Sequence, residues 1–118
     1  MPLVKGKKIL VVDDESAVCE SIRMLLSYDG HEVETASSGQ EALTKFDPKK
    51  IEVVFTDFSM PGMKGNELAA EIKRRSPQTP VILLTAFPPA ERPEAVDLVI
   101  TKPFMLENLR DGIRKVCP

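Results

Sequence analysis

Five side chains in this sequence have the types and placement to work together on a charged group: Asp13, Asp14, Asp57, Thr85 and Lys102. Each stands at the end of an apolar run of strand length. Lys8-Ile9-Leu10-Val11-Val12 leads into Asp13-Asp14, Val53-Val54-Phe55-Thr56 into Asp57, Val81-Ile82-Leu83-Leu84 into Thr85, and Leu98-Val99-Ile100 into Thr101-Lys102. β-Branched and aromatic runs of this length fit strands, and continuous apolar ones fit the middle of a parallel sheet. In a parallel sheet all four ends lie on one edge. With the first strand central, they converge on one pocket, where open α/β sheets bind ligands. Three carboxylates a few ångström apart repel by a few kcal/mol per close pair, taking an effective dielectric of about 20. A hard divalent cation makes such a cluster viable, and Mg2+ favours few carboxylates, several waters and phosphate oxygens. Lys102 adds a compact positive charge for an anion, Thr85 a hydroxyl donor, and Ala86 leaves the backbone open beside it. The chemistry these groups fit is attack of the Asp57 carboxylate on a phosphoryl group. Carboxylates form acyl phosphates in this way, with metal and lysine neutralising the transferring oxygens. Taken singly, each residue has a plainer reading as a helix cap or loop residue. The weight rests on all of them standing at matching strand ends.

The elements that must position these groups follow in order. A helix is expected from Ser16 to Tyr28, with Val18, Ile22, Leu25 and Leu26 on one face, ended by Asp29-Gly30. Val33 to Ala36 reads as a more polar edge strand. Ser38 with Glu41 reads as a capping box opening a short helix through Ala42, Leu43 and Phe46, which Pro48 ends. Phe58-Ser59-Met60-Pro61-Gly62 carries turn chemistry directly after Asp57. A helix from about Asn66 to Ser76 follows and stops at Pro77, and a last helix runs from about Met105 to Val116. Between the fourth and fifth strands, Pro88, Pro89 and Pro93 oppose a regular helix, leaving room for one turn near Pro93 to Val96. Strands alternating with helices imply a single α/β domain over residues 1–118: a doubly wound parallel sheet with right-handed crossovers and a shortened or missing fourth helix.

Composition narrows the function classes. The 118 residues suit one domain. A formal charge of −2 gives no electrostatic case for nucleic acid or a membrane surface. No apolar run approaches the roughly 20 residues that span a bilayer. The basic start, Met1 to Lys8, lacks a signal-peptide apolar segment, so a cytoplasmic location is expected. His31, the one histidine, reads as a solvated turn residue. Cys19 and Cys117 read as free thiols without metal spacing, so Ser-His and Cys-His nucleophilic catalysis are excluded.

Val11-Val12-Asp13-Asp14-Glu15, Thr56-Asp57-Phe58-Ser59-Met60-Pro61-Gly62-Met63-Lys64-Gly65, Leu84-Thr85-Ala86 and Thr101-Lys102-Pro103-Phe104 together resemble the receiver domain of two-component response regulators. The resemblance covers nearly the whole chain, from Lys8 to Val116. It implies a flavodoxin-like five-stranded sheet of order 2-1-3-4-5. It implies that Asp57 is the phosphoacceptor, taking phosphate from a histidine kinase or phosphotransfer protein. By the same resemblance Asp14 binds Mg2+ directly, Asp13 binds it through water, Asp57 and the Ser59 backbone carbonyl complete the metal site, and Thr85 and Lys102 contact the phosphoryl group. It implies a cis Lys102–Pro103 bond, and a regulatory protein with self-phosphorylation and slow autodephosphorylation only. An effector or attached domain, and a phosphorylation-dependent dimer, are the expected partners, and Ser59 and Phe87 are expected to tune phosphate lifetime.

Two departures stand out. Receivers usually carry an aromatic residue three before the lysine, which swings inward as the threonine moves; here that position is Val99. The curtailed fourth helix also removes a common output face, a feature of receivers attached to sensor kinases. Signal then leaves by the last helix, the Pro88–Pro93 loop or a larger partner. The alternatives are an Asp-nucleophile phosphatase, although its pattern spaces the first two carboxylates as Asp-x-Asp; a flavodoxin-like cofactor binder, which Asp13-Asp14-Glu15 would repel; and a pseudo-receiver that binds a partner without phosphate.

Overall fold

The apolar runs pair as expected, all in parallel. In the computed structural model, which describes residues 6–117, β1 (Lys8–Val12), β2 (Glu32–Ala36), β3 (Val53–Asp57), β4 (Val81–Thr85) and β5 (Leu98–Thr101) form one sheet in the order β2-β1-β3-β4-β5. Met1 to Lys5, which enter the signal-peptide reading, and Pro118 lie outside the described residues. β3 and β4 are buried along their whole length, as central parallel strands covered on both faces must be. β2 alternates exposed and half-buried positions, consistent with an edge.

Alternate residues of the sheet feed two cores. Leu10, Val12, Val54, Val81 and Leu83 face α2 (Gly39–Lys45) and α3 (Gly65–Arg75), packing on Ala42, Leu68, Ala69 and Ile72. Ile9, Val11, Val53, Phe55, Ile82 and Leu84 face α1 (Ser16–Tyr28) and α4 (Leu106–Val116), packing on Cys19, Ile22, Leu26, Leu109 and Ile113. The chain winds one way from β1 to β2 and the other way from β3 onward. The switch point therefore falls between the carboxyl ends of β1 and β3, where a crevice is left uncovered.

Helix ends differ from expectation by about one residue, as fraying ends do. Ser38 Oγ accepts from Glu41 N (3.1 Å), but the Glu41 carboxylate reaches back one residue further, to Ser37 N (2.6 Å) and Ser37 Oγ (2.8 Å). Reach-back contacts also open α3, from Lys64 N to Glu67 (2.8 Å), and α4, from Met105 N to Asn108 (2.7 Å).

The crossover from β4 to β5 contains no helix. One turn closes from Val96 N to Pro93 O (3.0 Å), and Val96 is fully buried against the α2–α3 core. Burial of one valine contributes about 1.5–3 kcal/mol, enough to pin a short loop without a helix. Asp97 adds a second pin: its carboxylate accepts from Val81 N (2.8 Å) and Lys73 Nζ (2.6 Å). No helix among the described residues is long and apolar enough to cross a membrane.

His31 departs from the sequence reading. It is buried, and its Nδ1 accepts a hydrogen bond from Lys7 N (2.9 Å), so it packs as a neutral ring rather than sitting in water. Burial pushes its pKa below the ordinary 6.5, the Lys7 charge adds to that, and the Asp29 carboxylate opposes it. A depressed folded-state pKa means that the unfolded chain binds the proton first. The stability from His31 is thus complete above about pH 6.5 and is lost as pH falls through the folded value. Urea midpoints of the wild type should fall between about pH 7.5 and about pH 5 more than those of His31→Gln. Parallel curves for the two proteins would remove His31 as the cause.

Candidate functional site

The ladders carry Asp57 and Thr85 at the ends of β3 and β4, and Asp13, Asp14 and Lys102 follow directly on the ends of β1 and β5 at the same edge. Val12 pairs with both Ala36 and Thr56, Asp57 with Leu84, and Thr85 with Thr101, so β1, β3, β4 and β5 end level. Asp13, Asp14 and Asp57 offer carboxylate oxygens that all lie within 4.8 Å of one another. Lys102 Nζ donates to Asp57 Oδ1 (2.9 Å) and lies 3.6 Å from Asp13 Oδ2. Thr85 is buried at the end of β4; its backbone oxygen accepts from Lys102 N (2.8 Å) and its hydroxyl oxygen from Phe87 N (3.2 Å). Ser59 is exposed in the loop two residues beyond Asp57. The Lys102–Pro103 bond is cis.

Local structure fixes these groups before any ligand does. Asp13 N donates to Ala36 O (3.1 Å), and Asp13 Oδ1 accepts from Glu15 N (2.9 Å), which closes the turn from β1 into α1. Below Asp57, α3 begins so close that a Cβ on Gly65 would stand 2.2 Å from Asp57 O; only glycine allows that approach. The loop from 58 to 64 is wedged in turn against α2, where a Cβ on Gly39 would meet the Met63 side chain at 2.7–2.9 Å. Gly39, Gly65 and the role of Met63 did not stand out in the sequence, because close backbone approach leaves no local signal beyond the glycine itself.

The electrostatics are one-sided. Each carboxylate pair at this separation costs about 3–4 kcal/mol at an effective dielectric near 20, and one ammonium faces three carboxylates. Burial raises the pKa of Asp13, and the charges of Asp57 and Asp14 raise it further, against the Glu15 amide and Lys102. For Lys102, burial works against the charged form, but the contacts with Asp57 and Asp13 outweigh it and its pKa is raised. Asp13 Oδ2 is buried without a hydrogen-bond partner. A buried carboxylate oxygen without a hydrogen bond, in a group of three carboxylates, is a donor set suited to a hard oxygen-seeking cation, so the residues present fit Mg2+.

A doubly wound sheet with an acidic trio and a neutralising lysine at its switch point defines a flavodoxin-like α/β protein with a cation- and anion-accepting rim. The chain belongs to the response regulator receiver domain family, whose model matches residues 9–114. It is 36% identical over 117 residues to the transcriptional regulatory protein TrcR of Mycobacterium tuberculosis, covering 91% of this chain and 44% of that one. The response regulator TrrA of Thermotoga maritima, solved with Mg2+-BeF, matches with a TM-score of 0.84 at 37% identity, over 93% of this chain and 98% of that one. TrrA has also been solved in complex with the histidine kinase ThkA; that regulator chain matches with a TM-score of 0.84 at 36% identity, over 95% of this chain and 99% of that one. The chain spans about half the length of the curated relatives it matches. Receiver domains serve phosphoacceptor signalling in two-component systems and are regulatory, and they bind Mg2+ at an acidic pocket. The matches lend no support to a phosphatase or a phosphate-free pseudo-receiver.

Because the Asp13 charge is disfavoured by the fold, its removal should stabilise the metal-free protein. Asp13→Asn keeps an oxygen for the Glu15 amide while relieving burial and repulsion, and should gain about 1–2 kcal/mol at pH 7. The gain should shrink as pH falls toward the ordinary carboxylate value of 3.8, where the wild type sheds the same charge. Urea denaturation in chelator measures both; a destabilised variant would show that the Lys102 attraction outweighs the repulsion.

Proposed function

We propose that residues 1–118 act as one receiver unit in which Asp57 accepts a phosphoryl group from a histidine kinase or a phosphotransfer protein. The observation that carries this reading is the placement of Lys102 Nζ, 2.9 Å from Asp57 Oδ1 and 3.6 Å from Asp13 Oδ2. Asp57 is nearly buried, at 8% exposure, yet it sits at the open end of its strand, so a phosphoryl group can reach only its rim-facing oxygens. An Asp57 oxygen forms a bond to phosphorus as the donor's nitrogen–phosphorus bond breaks, and the departing imidazole keeps the electron pair. Lys102 gives up part of its contact with the free carboxylate and donates to the incoming oxygens, and the Thr85 hydroxyl donates beside it. Asp13, Asp14, Asp57 and the Ser59 carbonyl would hold Mg2+, which when bound neutralises charge on the phosphoryl oxygens. Small phosphoryl donors would phosphorylate the same atom, and water would release it slowly. The exchange takes place in the cytoplasm, and its output is a change in contact with an attached domain, an effector or a second phosphorylated copy.

Incubation with acetyl phosphate and Mg2+ should add one phosphoryl group, read as intact mass. Asp57→Asn and excess chelator should each abolish the addition, and Lys102→Ala should slow it roughly 100-fold, the usual effect of losing one preorganised donor. A phosphoryl group retained by Asp57→Asn, or continuous hydrolysis of model phosphate esters, would overturn the reading.

A further inference from the structure

The turn that carries Asp13 and Asp14 is fastened from below by a group outside the site described so far. Cys19, one turn into α1, is buried at 6% exposure. Its Sγ lies 3.4 Å from Asp13 O, 3.6 Å from Ala36 O and 4.0 Å from Val11 O. Ala36 O already accepts from Asp13 N. One thiol proton thus faces three carbonyls, of which that of Asp13 is nearest. A cysteine thiol is a weak S–H donor, and these three oxygens are acceptors, so the thiol is the donor here. The carboxylate of Asp13 has its Oδ2 buried without a hydrogen bond. A Cα–carbonyl held from below constrains where that oxygen points, and a helical residue reaching back to a strand-end carbonyl is rigid in a way that a loop contact is not.

We propose that Cys19 is a positioning residue for the Mg2+ pocket: its S–H···O contact with the Asp13 carbonyl fixes the β1–α1 turn so that the Asp13 and Asp14 carboxylates face Asp57. This rests on the acidic trio being the Mg2+ site. Cys19 does not touch the ion; it acts through the backbone of Asp13. Outer contacts of this kind typically change metal affinity by about 10–100-fold, and a thiol, being a weak donor, belongs at or below the lower end of that range.

The test is Mg2+ binding measured by calorimetry, together with thermal melting in chelator, on the wild type, Cys19→Ala and Cys19→Ser. Cys19→Ala should weaken Mg2+ binding several-fold, and Cys19→Ser, which restores a donor, should recover most of it. Loss of packing alone would lower the melting temperature of the alanine variant and leave its Mg2+ affinity at the wild-type value. That result, or a serine variant as weak as alanine, would overturn the proposal. A second measurement needs no change at Cys19. In a Cys117→Ser background, modification of Cys19 by a small methanethiosulfonate reports opening of the turn, and a rate independent of low urea marks that opening as local. Mg2+ should slow this local modification; an unchanged rate under Mg2+ that demonstrably binds would count against Cys19 alone. A wild type that binds no Mg2+ would instead bring down the assignment of the metal pocket itself.

Discussion

Three carboxylates held within 4.8 Å of one another against a single ammonium are the constraint to which the other features of this molecule answer. Free in solution these side chains would separate, since each close pair costs several kcal/mol at most and nothing local rewards the contact. They stay together because their backbones have no freedom to part. Asp57 ends a strand with neighbours on both sides, and Asp13 follows one of those neighbours, β1, which pairs directly with it. The repulsion is in effect carried by two sheet ladders and two hydrophobic cores. Lys102 relieves part of it by lying between Asp57 and Asp13, and the unpartnered Asp13 oxygen is what remains. Such a rim favours a cation first and an anion afterwards. Binding energy at functional sites often comes from this kind of unrelieved local cost.

Much of this was legible because the relevant signals are one-dimensional. Uninterrupted apolar runs identify central parallel strands, and their last residues identify the rim. Asp13, Asp57, Thr85 and Lys102 could thus be set side by side without knowledge of any distance. The three prolines between β4 and β5 identified the crossover without a helix in the same way. What escaped the sequence depends on two segments meeting in space. His31 follows a glycine and precedes a glutamate, which reads as a solvated turn. It is buried, and Lys7, just before β1, donates to its ring from its backbone N–H. Gly65 and Gly39 look like ordinary helix-start residues. Their reason is a neighbouring backbone or side chain less than 3 Å from an added Cβ. Cys19 could be read as buried from helical periodicity, but which carbonyls it faces is a property of how α1 crosses β1.

The helix-free crossover separates two jobs that one segment often shares. It must return the chain to β5 so that Lys102 arrives at the rim, and it does so with one buried valine, one exposed carboxylate that accepts from the Val81 amide, and a single turn. Nothing in the acidic site requires more. Val99, half-buried, packs into the same core as Val96, so the β5 face that looks toward this loop is filled by aliphatic side chains. A branched aliphatic residue has no large ring to exchange between an inward and an outward position, and its χ1 is stiff.

A phosphoryl group can bias a conformation only through contacts that differ between two states. At this rim the groups able to make such contacts from β4 and β5 are the Thr85 hydroxyl and the Lys102 ammonium, and they are not independent. Lys102 N donates to Thr85 O, and Thr85 Oγ1 accepts from Phe87 N, so strand end, loop entry and lysine form one hydrogen-bonded unit. Phe87, at 86% exposure, opens the loop that this unit holds, and Met105, at 74%, stands at the entry to α4. Position 99 carries no aromatic ring, and Phe87 and Met105 are the large exposed apolar side chains that flank this unit along the chain. Under the proposed phosphorylation of Asp57, the free-energy difference available through β4 and β5 is bounded by how differently Thr85 and Lys102 are satisfied before and after the phosphoryl group is added.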